Sequence, residues 1–371
     1  LTEAGPISGR NAERLAVLDA LRGVAAMAVA MGHHAGLWRP LNVGSTFFLA
    51  VDFFFALSGF VLAEAYGPKL DQGLGVGAFM RLRLLRLFPL YLIATVLGWI
   101  WLALLLSSPG WPAVSGLRVA GTLLCSALML PSHWRLLPGY YGQALYPLNT
   151  VVWTLAYELV GNFLMVLCWR RMTRFRLLGV MAAAAMVLGV VFLGPAWSRQ
   201  GRGWVWSLGD LLAGSARMLF SFSLGILLQR LPRQPLAAAW AWPLAALGLW
   251  LFTRTPDGAW VGTWSLAIVM VGSPLLLYVA AGAAAPSRAS GIFVGIGSSS
   301  YALYVLYEPA SALLAGACQL TFGRPLEAWA PWAGPALLLT MLALAWALTR
   351  WVDEPFRRWV RGRWLASVRR V

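Results

Sequence analysis

Apolar residues run along this chain in long stretches, centred near residues 17–38, 46–66, 84–107, 117–131, 150–168, 177–195, 213–229, 236–253, 262–285, 292–316 and 333–351. A membrane-spanning helix needs roughly 20 predominantly apolar residues, with a tolerance of a few either way. The stretch at 117–131, about 15 residues, falls short of that length, and the other ten fit. The pattern therefore predicts an all-α polytopic membrane protein with about ten transmembrane helices plus one re-entrant or interfacial segment. No segment between the stretches is long enough for a soluble domain, so residues 1–371 read as a single membrane domain.

Charge supports that partition. The chain carries 29 Lys and Arg against 13 Asp and Glu, a formal net charge of +16. The cations sit in short clusters between apolar stretches, as the positive-inside bias predicts, and not as a nucleic-acid-binding patch. Arg10 and Arg14 place a short arm, residues 1–14, in the cytoplasm, and two crossings return Lys69, Arg81, Arg83 and Arg86 to that side. If 117–131 crossed the membrane, Arg170, Arg171, Arg174 and Arg176 would fall outside; if it dips and returns, they fall inside. The second alternative also brings Arg230, Arg233, Arg288 and the basic tail at 352–371 to the cytoplasm, so both termini are expected there. The first stretch carries Asp19, Arg22 and two His and lacks a small-residue cleavage signature, so it reads as a retained helix. Cys125, Cys168 and Cys318 show no metal-ligand spacing, and no convincing internal repeat of the transporter kind is present.

Ionisable residues inside apolar stretches are expensive and mark sites. Arg22 and His33 interrupt the first stretch. Eleven helical steps bring His33 to within roughly 20° of Arg22 and about 16 Å further along the axis. A cation and a proton-transfer group thus share one face. His34, about 100° round, points elsewhere. Asp19 precedes Arg22 by three residues, which suits a local pair. Glu158 and Arg217 lie within two further stretches. Glu158 has two readings: a partner for His33 or Arg22, or a structural ion pair with Arg217. Asp52, near the start of the second stretch, reads as structural or as facing an acceptor.

Several short motifs recur in order along the chain. They are Leu18-Asp19-Ala20-Leu21-Arg22-Gly23 with His33; Val51-Asp52-Phe53-Phe54-Phe55-Ala56-Leu57-Ser58-Gly59-Phe60; and Arg83-Leu84-Leu85-Arg86-Leu87-Phe88-Pro89-Leu90-Tyr91. Then come Asn149 with Trp153-Thr154-Leu155-Ala156-Tyr157-Glu158; Arg217-Met218-Leu219-Phe220; Ser300-Tyr301-Ala302-Leu303-Tyr304; and Glu354-Pro355-Phe356. Together, from about residue 15 to 360, they resemble the acyltransferase-3 family of integral membrane O-acyltransferases. The resemblance implies transfer of an acyl group, most often acetyl, from cytoplasmic acyl-CoA to a hydroxyl of an extracytoplasmic glycan or lipid-linked sugar. It also implies residence in the bacterial cytoplasmic membrane. One position departs from it. The family often has a His two residues before a Pro at the place where this chain has Tyr307, followed by Glu308 and Pro309.

The residues fit that chemistry. CoA carries phosphates at one end of a long arm and a thioester at the other. Arg83, Arg86 and Arg22, with Tyr91 nearby, are the candidates to hold the donor, since guanidinium forks grip phosphates. Arginines at a cytoplasmic helix end also arise from snorkelling with no ligand at all. His33, with Arg22 and Glu158, forms the candidate catalytic set. The imidazole takes a proton from the acceptor hydroxyl, with an acyl-His intermediate as the variant. Asp52, Asn149, Trp153, Tyr307 and Glu308 are the candidates on the acceptor side. His133, Trp134, Tyr140, Tyr141 and Tyr146 would stack on a sugar or form an interfacial aromatic belt. No metal is implied. The competing functions are a transporter or flippase of an anionic glycolipid, an inactive homologue serving in an assembly, and a transferase of succinyl or longer acyl groups.

Overall fold

The computed structural model describes residues 9–39, 43, 46–134, 143–194, 203–254, 260–286 and 290–360, with the side chains of residues 9–15 left aside. Tyr140, Tyr141, Arg288 and the tail beyond residue 360, as well as the side chains of Arg10 and Arg14, lie outside this description. Among the described residues, twelve α-helices follow one another: α1 Gly9–His33, α2 Leu49–Asp71, α3 Val76–Leu106, α4 Gly116–Ala127, α5 Val152–Cys168, α6 Arg174–Leu193, α7 Leu208–Gln229, α8 Ala241–Thr253, α9 Val261–Ala267, α10 Ser273–Gly282, α11 Ser290–Phe322 and α12 Ala333–Leu348. A π-helical turn at Ile268–Gly272 joins α9 to α10 into one rod, and another at Thr349–Asp353 extends α12. The protein is an all-α polytopic membrane protein. Among the described residues, eight helices are long and apolar enough to cross a bilayer. The remaining two expected spans correspond to α11, which has 33 residues but is punctuated by Ser and Tyr, and to the shorter apolar helix Ala238–Thr253.

The stretch at 117–131 forms a short helix. Its helix α4 has 12 residues, about 18 Å of rise. It starts beside the C-terminal end of α3 and reaches back to the middle of α3, where Tyr91 Oη donates to the Ser126 carbonyl and Trp99 Nε1 to Ser126 Oγ at 2.9 Å. Met129 then takes a left-handed φ of 56° and the chain turns away. The stretch from Ala144 to Val151 is non-helical yet buried. Its polar backbone is satisfied by protein: Leu145 N donates to Trp204 O at 2.8 Å, and Leu145 O accepts from Ser132 N at 2.7 Å. Irregular backbone is tolerated at membrane depth only where protein covers it in this way.

Local signals set several helix ends. Ser207 and Asp210 form a reciprocal cap on α7, with Asp210 N donating to Ser207 Oγ at 3.1 Å and Ser207 Oγ donating to Asp210 Oδ2 at 2.8 Å. Thr173 and Ser115 cap α6 and α4 through their side-chain oxygens.

Two glycine contacts orient the bundle around its site. At the α2–α7 crossing, a Cβ on Gly59 would collide with the Phe222 carbonyl, and one on Gly225 with the Ala56 carbonyl. At the α1–α11 crossing, Gly23 meets Ile296 and Gly297 meets Asp19. In a membrane, van der Waals contact between close backbones drives association, so small residues mark these crossings. Sealing α2 against α7 leaves the opposite stripe of α2 to face α1, α3, α5 and α11. Gly225→Ala is expected to force α2 and α7 apart at a cost of about 1–3 kcal/mol. A lowered melting temperature of the detergent-purified protein checks this; an unchanged melt would mean that the crossing relaxes freely.

The basic clusters converge on one end of the bundle. Trp169, after α5, donates to Asp71 at the end of α2 at 2.7 Å. Arg230, after α7, donates to Met172 O at 2.5 Å and lies 5.4 Å from the Trp169 ring. Arg233 pairs with Glu64 of α2 at 3.1 Å. His33 lies at the opposite end of α1 from its N-terminal arm.

Candidate active site

The open stripe of α2, made of Phe54, Ser58, Val61 and Ala65 at helical spacing, forms one wall of a cavity of about 120 Å³. That is room for about four waters at their liquid share of roughly 30 Å³ each. Arg83, Arg86 and Leu87 of α3 form a second wall, and Thr154, Leu155 and Glu158 of α5 a third. Ser300, Tyr301 and Tyr304, which share one face of α11, close it together with Arg22 of α1. Three arginines and one glutamate therefore meet in one chamber. They come from three helices, α1, α3 and α5.

Each charge has a distinct setting. Arg22 Nε donates to Ser300 Oγ at 2.7 Å and its Nη2 to Gly297 O at 2.5 Å, while Asp19 lies 3.3 Å away. The close approach at Gly297 is what lets the guanidinium reach a helix backbone. Arg83 Nη2 donates to Glu158 Oε1 at 2.9 Å, and Ser58 Oγ donates to the same oxygen at 2.8 Å. With the Asn162 carboxamide oxygen turned toward it, Arg83 Nε donates there at 3.1 Å. Arg86 also lines the cavity and, among the described residues, has no hydrogen-bond or ion-pair partner. Tyr301 Oη donates to Leu87 O at 2.7 Å and ties α11 to α3.

His33 stands apart from this chamber. Its exposed ring packs on Phe47, with centroids 4.6 Å apart, and edge-on to Tyr307 at 5.0 Å. Its Nδ1 lies 2.9 Å from Val29 O. A carbonyl only accepts, so Nδ1 carries the proton, and in the neutral ring Nε2 is the basic nitrogen. Arg22 and His33 both face α11, as their shared register predicts, one at the cavity and one beyond it. Tyr307, at the position where the family often has His, is the residue α11 presents to His33. His34 turns elsewhere and its Nε2 lies 2.8 Å from Ser311 Oγ.

Pro309 explains the neighbouring constellation. A proline inside a helix cannot donate to the carbonyl four residues back, here Val305 O. Asn149 Nδ2 donates to that carbonyl at 2.8 Å. The next two residues hold Glu308, whose carboxylate accepts from Thr150 Oγ1 at 2.8 and 2.9 Å and from Val151 N at 3.2 Å. Asn149 and Glu308, read from sequence as acceptor-side residues, thus clamp the break in α11 beside Tyr307.

The tertiary structure fixes the partners of Glu158, Asp52, Trp153 and Tyr91, with Asp52 taking the structural one of its two readings. Glu158 pairs with Arg83, and neither with His33 or Arg22 nor with Arg217. Asp52 is 1% exposed and both its oxygens are engaged by Arg217, which is 0% exposed, at 2.7–3.2 Å. Arg217 Nη2 also donates to Phe48 O at 2.7 Å, and the Trp153 ring stands 5.4 Å from the guanidinium. Asp52 and Trp153 therefore belong to a buried ion-pair cage. Tyr91 reaches α4 and lines a separate small cavity with Thr95, Ser126 and Asn149. Ser58, Thr154, Ser300 and Tyr304 also line the main chamber, although uncharged side chains in apolar stretches carry no signal of their own. Their motifs were visible, and the i, i+4 spacing of Phe54–Ser58 and Ser300–Tyr304 was the available signal. Among the described residues, no group of His, Cys, Asp and Glu is arranged to hold a metal ion.

A family model for an acyltransferase domain matches residues 15–350, nearly the whole chain. The chain belongs to the acyltransferase-3 family. This acyltransferase-3 protein is 36% identical over 193 residues to "Protein 2 in picA locus" of Rhizobium radiobacter, a match covering 48% of this chain and 94% of that protein. No solved structure matches it. The arginine-lined chamber and His33 both lie within the family match.

Proposed function

We propose that this acyltransferase moves an acyl group, acetyl foremost, from acyl-CoA to a hydroxyl of an extracytoplasmic glycan or lipid-linked sugar. The observation that carries the reading is the arginine-lined chamber on the inner stretch of α1, with a histidine on the same α1 face toward the other end. Basic residues gathered at the end where α2, α5 and α7 meet favour that end as cytoplasmic, in a bacterial cytoplasmic membrane with both termini inside. A donor entering there reaches the chamber lined by Arg86 and Arg22, and its phosphates take the hydrogen-bonding capacity that Arg86 does not spend on protein. Arg83 is committed to Glu158, so its part is to hold that carboxylate at the chamber wall.

The transfer follows from the tautomer at His33. Nε2 takes the proton from the acceptor hydroxyl as its oxygen attacks the thioester carbonyl carbon. The carbon–sulfur bond then breaks, and the proton passes from Nε2 to the departing thiolate, leaving ester and free CoA. Arg86→Ala is expected to weaken CoA binding by about 10- to 100-fold, the loss of one charge-assisted contact of about 1.5–3 kcal/mol. Titration calorimetry of purified protein with CoA reads it, and an unchanged affinity would remove Arg86 from the donor site. If the folded parent releases no CoA from acetyl-, succinyl- or longer acyl-CoA, the donor reading fails, and transport of an anionic glycolipid becomes the stronger account.

A further inference from the structure

We propose that Phe54 and Tyr304 form the ceiling of the chamber and set the length of acyl group that the enzyme transfers; this rests on the donor reading above. Besides its charged groups, Arg22, Arg83, Arg86 and Glu158, the chamber has apolar lining at both ends of its α2 wall: Val61, Leu62, Ala65 and Tyr66 toward the C-terminal end of α2, and Phe54, Phe55 and Leu57, with Leu155 of α5, toward its N-terminal end. A ligand whose anionic groups meet the arginines can place a small apolar group against the second set.

The apolar part is closed by a defined set of contacts. The Phe54 and Tyr304 rings meet edge-on with centroids 5.2 Å apart. Tyr304 is 6% exposed, and its hydroxyl lies 2.8 Å from Thr154 Oγ1. Thr154 in turn donates to Val151 O at 2.9 Å, in the segment that clamps Glu308. Tyr307, the neighbour of His33, stands three residues further along α11, about 4.5 Å of rise. The ceiling thus separates the chamber from the His33 layer by less than one helical turn. For an acyl group in the chamber to reach the base, the Phe54 ring must swing from its contact with Tyr304, so each extra methylene presses on Phe54. Tyr304 is pinned by its hydroxyl, whereas Phe54 is held by packing, which makes Phe54 the position where length is read. Pocket contacts of this kind discriminate a single methylene by roughly 10- to 200-fold.

The test compares kcat/KM for acetyl-, butyryl- and octanoyl-CoA in the parent, Phe54→Ala and Phe54→Leu, with CoA release as the readout. The parent is expected to favour acetyl-CoA. Phe54→Ala is expected to raise the butyryl-to-acetyl ratio by at least about tenfold, and Phe54→Leu by less in the same direction. A ratio unchanged in a folded, active Phe54→Ala overturns the assignment while leaving the donor reading intact. If Phe54→Ala elutes as aggregate, the direction of the shift in Phe54→Leu decides. A folded parent that turns over none of the three thioesters overturns the donor reading and this inference with it.

Discussion

Arg217→Leu, with Asp52 left in place, is expected to destabilise the fold by about 3–5 kcal/mol, the usual cost of stranding one member of a buried ion pair. Arg217 and Asp52 are 0% and 1% exposed, so water cannot replace the lost partner. The same guanidinium satisfies Phe48 O, just before α2, and its removal orphans that carbonyl as well. Asp52→Leu alone is expected to be similarly harmful, because it leaves the cation unpaired in an apolar cage. The combined change to Asp52→Leu and Arg217→Met is expected to recover much of the loss, since a buried pair exchanged for apolar groups of similar volume is often nearly neutral. Thermal unfolding of the detergent-purified proteins, followed by size-exclusion profile, measures all three. Single variants as stable as the parent would show that the pair is not needed to hold α2 against α7, and a double variant as damaged as the singles would assign Arg217 a role beyond pairing.

His33→Ala is expected to lower acyl transfer by about 10²- to 10⁴-fold, the usual contribution of a general base. The measurement is label transferred from radiolabelled acetyl-CoA into membranes that contain the acceptor, with His34→Ala alongside. His34 is held differently from His33, because its Nε2 is engaged with Ser311, one turn along α11 from Tyr307. His34→Ala is therefore expected to retain most of the turnover. CoA binding should survive in His33→Ala, since the arginine chamber is a separate space. Equal losses in both variants would point to a packing role for the end of α1, and full activity in His33→Ala would remove it from the chemistry.

The glycine contacts and the ion pairs divide the work between them. Gly59–Gly225 and Gly23–Gly297 bring backbones close enough to fix the helix rotations. Those rotations then decide which charged side chains can meet. Arg22 reaches Gly297 O only because α1 and α11 touch there, and Glu158 meets Arg83 because α3 and α5 present those residues to one chamber.

From the sequence alone, apolar stretch length determined the helical membrane architecture and marked α4 as the shortest of the apolar stretches. Helical periodicity likewise placed Arg22 and His33 on one face of α1, because spacing within a helix is a local property. The ordered motifs were enough to show the resemblance to an acyltransferase family. Tertiary structure decided the partners. Glu158 and Arg83 are 75 residues apart in the chain, and Asp52 and Arg217 are 165 apart. No periodicity tells which helix lies beside which, or how far each is rotated, so Arg217 was open to pairing with Glu158 until the α2–α7 crossing gave it Asp52. Asn149 shows the same limit. Its amide, a fair candidate for a sugar contact by composition, is committed to the carbonyl that Pro309 frees, a backbone vacancy that exists only once α11 has folded beside it.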